Sequence, residues 1–357
     1  MSTPALDLRQ DVVSLTAALC DIESVSGGEG PIADAVEQAL RACPHLELLR
    51  DGDTVVARTN LGRPERVVLA GHLDTVPLAA TPNLPTRREG DLLFGRGTTD
   101  MKSGVAVQLA LAATLTEPNR DVTYVFYDNE EVEASLNGLG RVGRAHPDWL
   151  DAQFAVLLEP TAGAVEGGCN GTMRVIVTTR GRAAHSARAW MGHNAIHEAA
   201  TVLGRLTAYE TQEVEVDGLV YRESLNAVLI DGGVAGNVIP DRCRITVNYR
   251  FAPSKSIEDA EHHLRELFTG YEVELADAAG GARPGLDRPA ARAFVAAMGG
   301  EALPKYGWTD VARFSELGVP AVNYGPGDAL TAHADDEHVD VRKIEGCERA
   351  LRAWLTA

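Results

Sequence analysis

Several short stretches of the chain put metal-ligating residue types where a strand would end or a helix would begin. In RVVLAGHLDTVP, residues 66–77, an apolar run at 67–70 is short enough for a buried strand, and Gly71 ends it just before His72 and Asp74. A histidine binds a divalent metal through one ring nitrogen, and a carboxylate two residues on could hold its other N–H and fix its aim. The plainer alternative is a strand end whose His and Asp face water. In GRGTTDMKSG, Asp100 stands just ahead of a helical face formed by Val105, Leu109, Ala112 and Leu115, where it could cap the helix or serve as a ligand. Lys102 and Ser103 do not make a phosphate loop, because that motif requires Gly where Met101 stands. VTYVFYDNEEVEA carries a third strand candidate, 122–127, into Glu130 and Glu131. Adjacent residues of extended chain point in opposite directions, so one carboxylate can hold a metal while the other faces a reacting water. FAVLLEP delivers Glu159 in the same way, and AHADDEHVD supplies His333 as a last ligand, with His338 as a bystander. Apolar strands that end in His72, the Glu130–Glu131 pair and Glu159 follow the rule that open α/β sheets bind ligands beyond the carboxyl ends of their strands.

The elements that must position these residues are legible in the periodicity. Leu8, Val12, Leu15 and Leu19, then Ile32, Ala35, Val36, Ala39 and Leu40, recur at helical spacing around the turn-rich connector VSGGEG. LELL and TVVAR read as strands, and the alternation of helix and strand predicts an α/β layer architecture. From about residue 171 the texture changes: the strand TMRVIVTTRG, a helix at 194–206, the strands LNAVLIDGG and CRITVNYRFAP, a helix at 257–268 and the strand YEVEL. This βαββαβ order is that of a ferredoxin-like two-layer unit, inserted between parts of the α/β domain. The chain then returns to α/β texture with a helix at 289–298, WTDVARFSELG, the strand VPAVNYGPG and a closing helix. The predicted boundaries are 1–170, 171–284 and 285–357, with the Ala- and Gly-rich stretch 276–285 as a linker. His193 and His197 are four apart on a helix, but Asn194 stands where an HExxH site needs Glu, so both are read as solvent-facing, like His262 and His263. His185 sits in the small-residue turn GRAAHSAR, between strand and helix, where an ordinary loop histidine is the competing reading.

The 357 residues suit two domains, and 45% hydrophobic with 24% charged residues gives ample core for a globular protein. A net charge of −18 opposes binding to nucleic acid or anionic membranes, which need clustered Lys and Arg. Cys20, Cys43, Cys169, Cys243 and Cys347 are odd in number and lack a CxxC pair, so they read as thiols in a reducing compartment. MSTPALDLRQDVV has no apolar signal region, and no apolar run approaches the ~20 residues of a membrane helix. A cytoplasmic protein is expected.

GHLDTVP, GRGTTDMKSG, the glutamate pair after a strand, LLEPT, AHS and a late AH together resemble the M20 family of dinuclear zinc amidohydrolases and peptidases, over most of the chain. The resemblance implies an α/β fold with a mixed-sheet, zinc-peptidase-like catalytic domain and an inserted ferredoxin-like α+β lid and dimerisation domain. It implies a cofactor of two Zn²⁺, with Co²⁺ or Mn²⁺ as alternatives. His72 and Glu159 would hold one metal and Glu131 and His333 the other, with Asp100 bridging both. Glu130 would be the general base and Asp74 the residue that orients His72. A homodimer through the lid is implied, with His185 reaching the partner's active site to stabilise the oxyanion, while Asn237 in GNVIPD and Arg250 in NYRFAP touch substrate. YDNEEVEASLNGLGR, AHSARAWMGHNAIH and WTDVARF are similar to one bacterial branch whose small N-acyl amino acid substrate carries several carboxylates. Arg250, and behind it Arg182, Arg188 and Arg313, would meet those carboxylates. Acetylornithine deacetylase-like deacylation and carboxypeptidase action are the neighbouring activities. A binding homologue without catalysis would be expected to lack Glu130 or a bridging ligand. Val132 and Arg188 stand where many relatives carry Gly and an aromatic residue.

Overall fold

The computed structural model describes residues 5–81 and 83–357. By internal packing the chain forms two units, the first containing the chain up to Gly168 with Pro284–Leu303 and Thr309–Ala357, the second Cys169–Arg283 and Pro304–Trp308. The first unit opens with α1 (Val12–Cys20), α2 (Gly30–Leu40), β1 (Glu47–Asp51), β2 (Thr54–Arg58), β3 (Arg66–His72), β4 (Arg87–Glu89) and β5 (Leu92–Phe94). It continues through α3 (Lys102–Thr114), β6 (Asp121–Tyr127), α4 (Gly138–Ala145), β7 (Phe154–Leu157) and β8 (Val165–Gly167). The second unit holds β9 (Gly171–Arg180), β10 (Ala184–His185), α5 (Ala195–Thr207), β11 (Gln212–Val216), β12 (Leu219–Gly232), β13 (Val238–Ile239), β14 (Arg242–Phe251), α6 (Ile257–Leu267) and β15 (Glu272–Ala279). The chain ends with α7 (Pro289–Ala297), β16 (Ala302–Pro304), α8 (Val311–Glu316), β17 (Ala321–Asn323), β18 (His338–Asp340) and α9 (Val341–Thr356).

Among the described residues, the main sheet runs β1-β2-β6-β3-β7-β17-β8-β16. Its centre is parallel, β6 with β3, β3 with β7 and β7 with β17, while β1, β2 and β8 pair antiparallel at the flanks. Strands buried on both faces read as continuous apolar runs, and β6 and β7 are buried along their whole length. One face, carrying Val67, Leu69, Tyr124, Phe126 and Val156, joins the core made by α1, α2, α3 and α9. The alternate residues Val68, Ala70, Val125, Ala155 and Leu157 turn the other way, where α4 and α8 pack on β2, β7 and β17. α3 is buried from Lys102 to Ala112, as suits a helix covered by the sheet on one side and by α1 and α9 on the other. Two glycines permit that close approach. A Cβ on Gly71 would lie 2.7 Å from the Met101 side chain, and one on Gly104 would overlap the Leu158 carbonyl.

In the second unit β12-β14-β9-β15 form an antiparallel sheet, with α5 and α6 contributing to a common core. This is the expected βαββαβ connectivity, extended by β11. β11 and the first half of β12 form a hairpin that the sequence reading missed. The Asp217-Gly218 turn, at φ +51° and +86°, was its signal. β15 continues to Ala279, so residues 276–279 of the expected linker are strand. Residues 304–308 return to this unit, where Asn170 N donates to Lys305 O at 3.2 Å and Trp308 Nε1 to Gly280 O at 3.0 Å. Among the described residues no helix is long and apolar enough to cross a membrane.

Candidate metal centre

The parallel register brings the strand ends together. His72 is the last residue of β3 and pairs with Tyr127 at the end of β6, while Ala70 pairs with Leu157 at the end of β7. Glu130 and Glu131 therefore follow one neighbour of His72, and Glu159 follows the other. Asp100 enters from the turn ahead of α3. The N-cap of that helix is Met101, with no side-chain cap, so Asp100 does not cap α3 and its carboxylate is turned elsewhere. Oδ1 of Asp100 lies 3.2 Å from His72 Nε2 and Oδ2 lies 3.4 Å from His333 Nε2. His333 Nε2 is 2.9 Å from Glu131 Oε1. Ligand atoms of His72, Asp100 and Glu131 all fall within 4.8 Å of one another. His333 reaches the group from a coil at φ +62°, a left-handed conformation uncommon for a residue with a side chain. His338 is elsewhere, with its ring centroid 4.9 Å from that of Phe94 and Nδ1 2.7 Å from Asp336 O.

Asp74 does more than the sequence suggested. His72 Nδ1 lies nearer the Asp74 backbone carbonyl, 3.0 Å, than the carboxylate, 3.4 Å. The carboxylate also accepts the amides of Glu130 at 3.0 Å and Glu131 at 3.1 Å, together with the Ser26 hydroxyl at 2.7 Å. It thus fixes the loop that bears both glutamates. Ser26 comes from VSGGEG, which read as a plain connector, and Glu29 in the same stretch accepts the amide of Asn129 at 3.0 Å. Asn129 sits at φ +57°, so the turn into the glutamate pair is held from both sides. The acidic and hydroxyl residues in that turn-rich stretch were the available signal.

The charges of the cluster are strongly coupled. Burial pulls the His72 imidazole down, but the carboxylates of Asp100 and Asp74 outweigh it and leave its pKa well above the usual histidine range. Hydrogen bonds to Asp100 and then Glu131 raise His333 to about 10. Burial would raise the Asp100 carboxyl, yet the two imidazoles hold it below the ordinary range. Burial pushes Glu130 well above the usual carboxylate range, with the neighbouring charges of Glu159, Asp310 and Glu131 adding to the shift against the opposing effect of His72. A carboxylate of this kind accepts a proton readily. Imidazole nitrogens aimed at carboxylate oxygens, with further carboxylates around them, hold positive charge in their midst, as protons on the imidazoles or as a bound cation. Mixed nitrogen and oxygen donors suit a divalent metal, and the two oxygens of Asp100, each turned to a different histidine, suit a bridge between two.

A further buried carboxylate, Asp310 of WTDVARF, escaped the sequence reading. It accepts from Asn137 Nδ2 at 2.9 and 3.2 Å and has Arg313 Nε at 3.5 Å, so Arg313 is engaged by the protein itself. In the second unit, His185 and Asn237 lie side by side: His185 pairs with Val238 across β10 and β13, and Ser186 N donates to Asn237 O at 2.9 Å. The His185 ring is exposed, with Nδ1 accepting from Ala187 N at 3.1 Å. Arg250 is half-buried on β14, between Ser224 and Thr172, and burial lowers its pKa. Arg182, Arg188, His193, His197 and His262 are exposed. His263 is not, contrary to expectation. Its ring packs against Tyr249 and Tyr209 at 5.4 and 6.1 Å because it faces the helix–sheet interface.

The profile of peptidase family M20/M25/M40 matches residues 68–357. The chain is 56% identical over 353 residues, 98% of its length and 99% of the relative's, to a Mycobacterium tuberculosis protein provisionally named succinyl-diaminopimelate desuccinylase DapE. It is 46% identical over 364 residues, 99% of its length and 98% of the relative's, to the succinyl-diaminopimelate desuccinylase of Corynebacterium glutamicum. Its fold is similar to that of the M20 family metallo-carboxypeptidase Sso-CP2 from Sulfolobus solfataricus, with TM-score 0.79 at 15% identity, covering 97% of this chain and 98% of that one.

Proposed function

The chain belongs to peptidase family M20/M25/M40, and from that premise we propose that it hydrolyses the amide bond of N-succinyl-LL-2,6-diaminopimelate to succinate and LL-2,6-diaminopimelate, in the biosynthesis of diaminopimelate and lysine. The observation that carries the substrate is the 56% and 46% identity, end to end, to two proteins named for that activity. The enzyme is a metal-dependent amidohydrolase. Two Zn²⁺, with Co²⁺ or Mn²⁺ as alternatives, are proposed, with His72 and Glu159 for one, Glu131 and His333 for the other and Asp100 for both. When bound, such a pair polarises the amide carbonyl and lowers the pKa of a water. Glu130, its carboxyl already shifted toward proton uptake, accepts the proton of the attacking water and passes it to the leaving amine nitrogen. Asp74 keeps Glu130 and Glu131 in register through their amides.

Arg250 is proposed to pair with a substrate carboxylate, and His185 with Asn237 to serve the oxyanion and the scissile group. A homodimer is proposed to form through β12. Beyond its hairpin with β11, this strand leaves an edge carrying Val228, Leu229 and Ile230 at 50, 69 and 54% exposure, with Ile196 of α5 also exposed. An exposed apolar strand edge is a template for a second copy of the same strand. Cytoplasmic location is part of this reading, on the strength of five widely spaced cysteines without a CxxC pair.

The test is turnover of N-succinyl-LL-2,6-diaminopimelate, N-acetylornithine and dipeptides by the Zn²⁺-supplemented enzyme. The succinylated substrate should lead in kcat/KM by about a hundredfold or more. Faster cleavage of a dipeptide would make the protein a carboxypeptidase of the same family.

A further inference from the structure

Three of the five ligands proposed above follow directly from strand ends, but Asp100 and His333 are carried by a turn and a coil, which need support of their own. That support centres on Arg96 and Glu337, joined at 2.7 Å and only 3% and 1% exposed. A buried ion pair of this kind adds little net stability over an apolar pair of similar volume, so its value lies in what it holds in place. Oε1 of Glu337 accepts the amides of Thr99 at 3.0 Å and Asp100 at 3.2 Å. The Glu337 backbone completes the link, its N–H donating to Ala334 O at 3.2 Å and its carbonyl accepting from Gly95 N at 3.0 Å. Arg96 spreads further, donating from Nε to Pro77 O at 3.1 Å and from Nη1 to Ala334 O at 3.3 Å. One pair thus touches the amide of Asp100, the residue after His333 and the segment that follows Asp74. Thr99 adds a second fastening, its hydroxyl donating to His338 O at 2.6 Å. Neither Arg96 nor Glu337 belongs to the ligand cluster.

We propose that the Arg96–Glu337 pair is a positioning device for the metal centre, setting the separation of Asp100 and His333 without touching metal or substrate. The proposal rests on the reading of the cluster as a site for two metals. The test is Zn²⁺ stoichiometry and affinity, measured by competition with a chromophoric chelator on the full chain, well below the unfolding midpoint of each variant. Glu337→Gln keeps the size of the side chain but leaves Arg96 without its counter-charge, and Zn²⁺ affinity should fall about 10- to 100-fold, the range typical of residues that orient ligands. Arg96→Lys keeps the charge but not the reach to Pro77 and Ala334, and should show a smaller loss in the same direction. A role confined to stability would lower the unfolding midpoint of the metal-free protein and leave Zn²⁺ affinity at the native value. Two Zn²⁺ bound with native affinity by Glu337→Gln would overturn the proposal. Should that variant fail to fold, native affinity in Arg96→Lys would overturn it equally. A native chain that takes up no Zn²⁺ would instead overturn the reading of the site itself.

Discussion

At the scale of the residue, adjacent glutamates are asked to do different work. Glu131 lies 2.9 Å from His333 and its ligand atom groups with those of His72 and Asp100, whereas burial and neighbouring carboxylates raise the proton affinity of Glu130, as suits the base proposed for it. Glu130→Gln is therefore expected to bind metal as the native chain does and to lose at least about a hundredfold in kcat, read by metal analysis beside steady-state kinetics. Native turnover in that variant would remove Glu130 from its assigned role. Asp74→Ala should behave otherwise. It strips the acceptor from the amides of Glu130 and Glu131, so metal affinity and kcat should fall together, each by about 10- to 100-fold. Chelation of the native enzyme should abolish hydrolysis, and added Zn²⁺ should restore it.

The elements place those residues by two simple means, parallel register and close approach of a helix. α3 lies on the strand ends because Gly104 has no side chain to strike Leu158 O, two residues before Glu159's carbonyl neighbour Pro160. Away from the site, Asp121 anchors the start of β6, its carboxylate accepting from Leu61 N, Arg63 N and the Thr59 hydroxyl at 2.8 to 2.9 Å. Burial alone would raise its pKa, but these donors outweigh burial and hold it low. A depressed carboxyl stabilises the fold above the pKa of the unfolded chain, and that contribution is lost as pH falls through the folded value. Asp121→Asn should thus cost about 1.5 to 3 kcal/mol near neutral pH, with the gap from the native chain closing below about pH 4, as denaturant titrations across pH would show. A gap that stays constant into acid would mean that the charge of Asp121 carries none of the effect.

For the whole molecule, the exposed edge of β12 is the feature a single copy leaves unexplained. Leu229→Asp is expected to halve the mass seen by light scattering and to leave zinc content intact, with kcat/KM reduced about tenfold or more if His185 serves the partner's site. A variant that stays dimeric would place the contact on another surface. Much of this architecture was legible in the sequence, for identifiable reasons. Apolar runs that stop at His72, Tyr127 and Leu157 declare buried parallel strands, and the proposed ligands His72, Glu131 and Glu159 stand at or just beyond such ends. Periodicity likewise announced the βαββαβ unit, missing the β11 hairpin behind its Asp-Gly turn, the short β10–β13 pair and the extension of β15 to Ala279. The sequence by itself determined the buried strands that end beside His72, Glu131 and Glu159 and the order in which the candidate residues follow them, because burial and alternation are local properties of the chain. Only the tertiary structure decided that Asp74 grips the glutamate amides, that Ser26 and Glu29 support the same loop and that Arg96 finds Glu337 across 241 positions. Polar partners so far apart leave no periodic trace, since a hydrogen bond depends on where two loops meet in space.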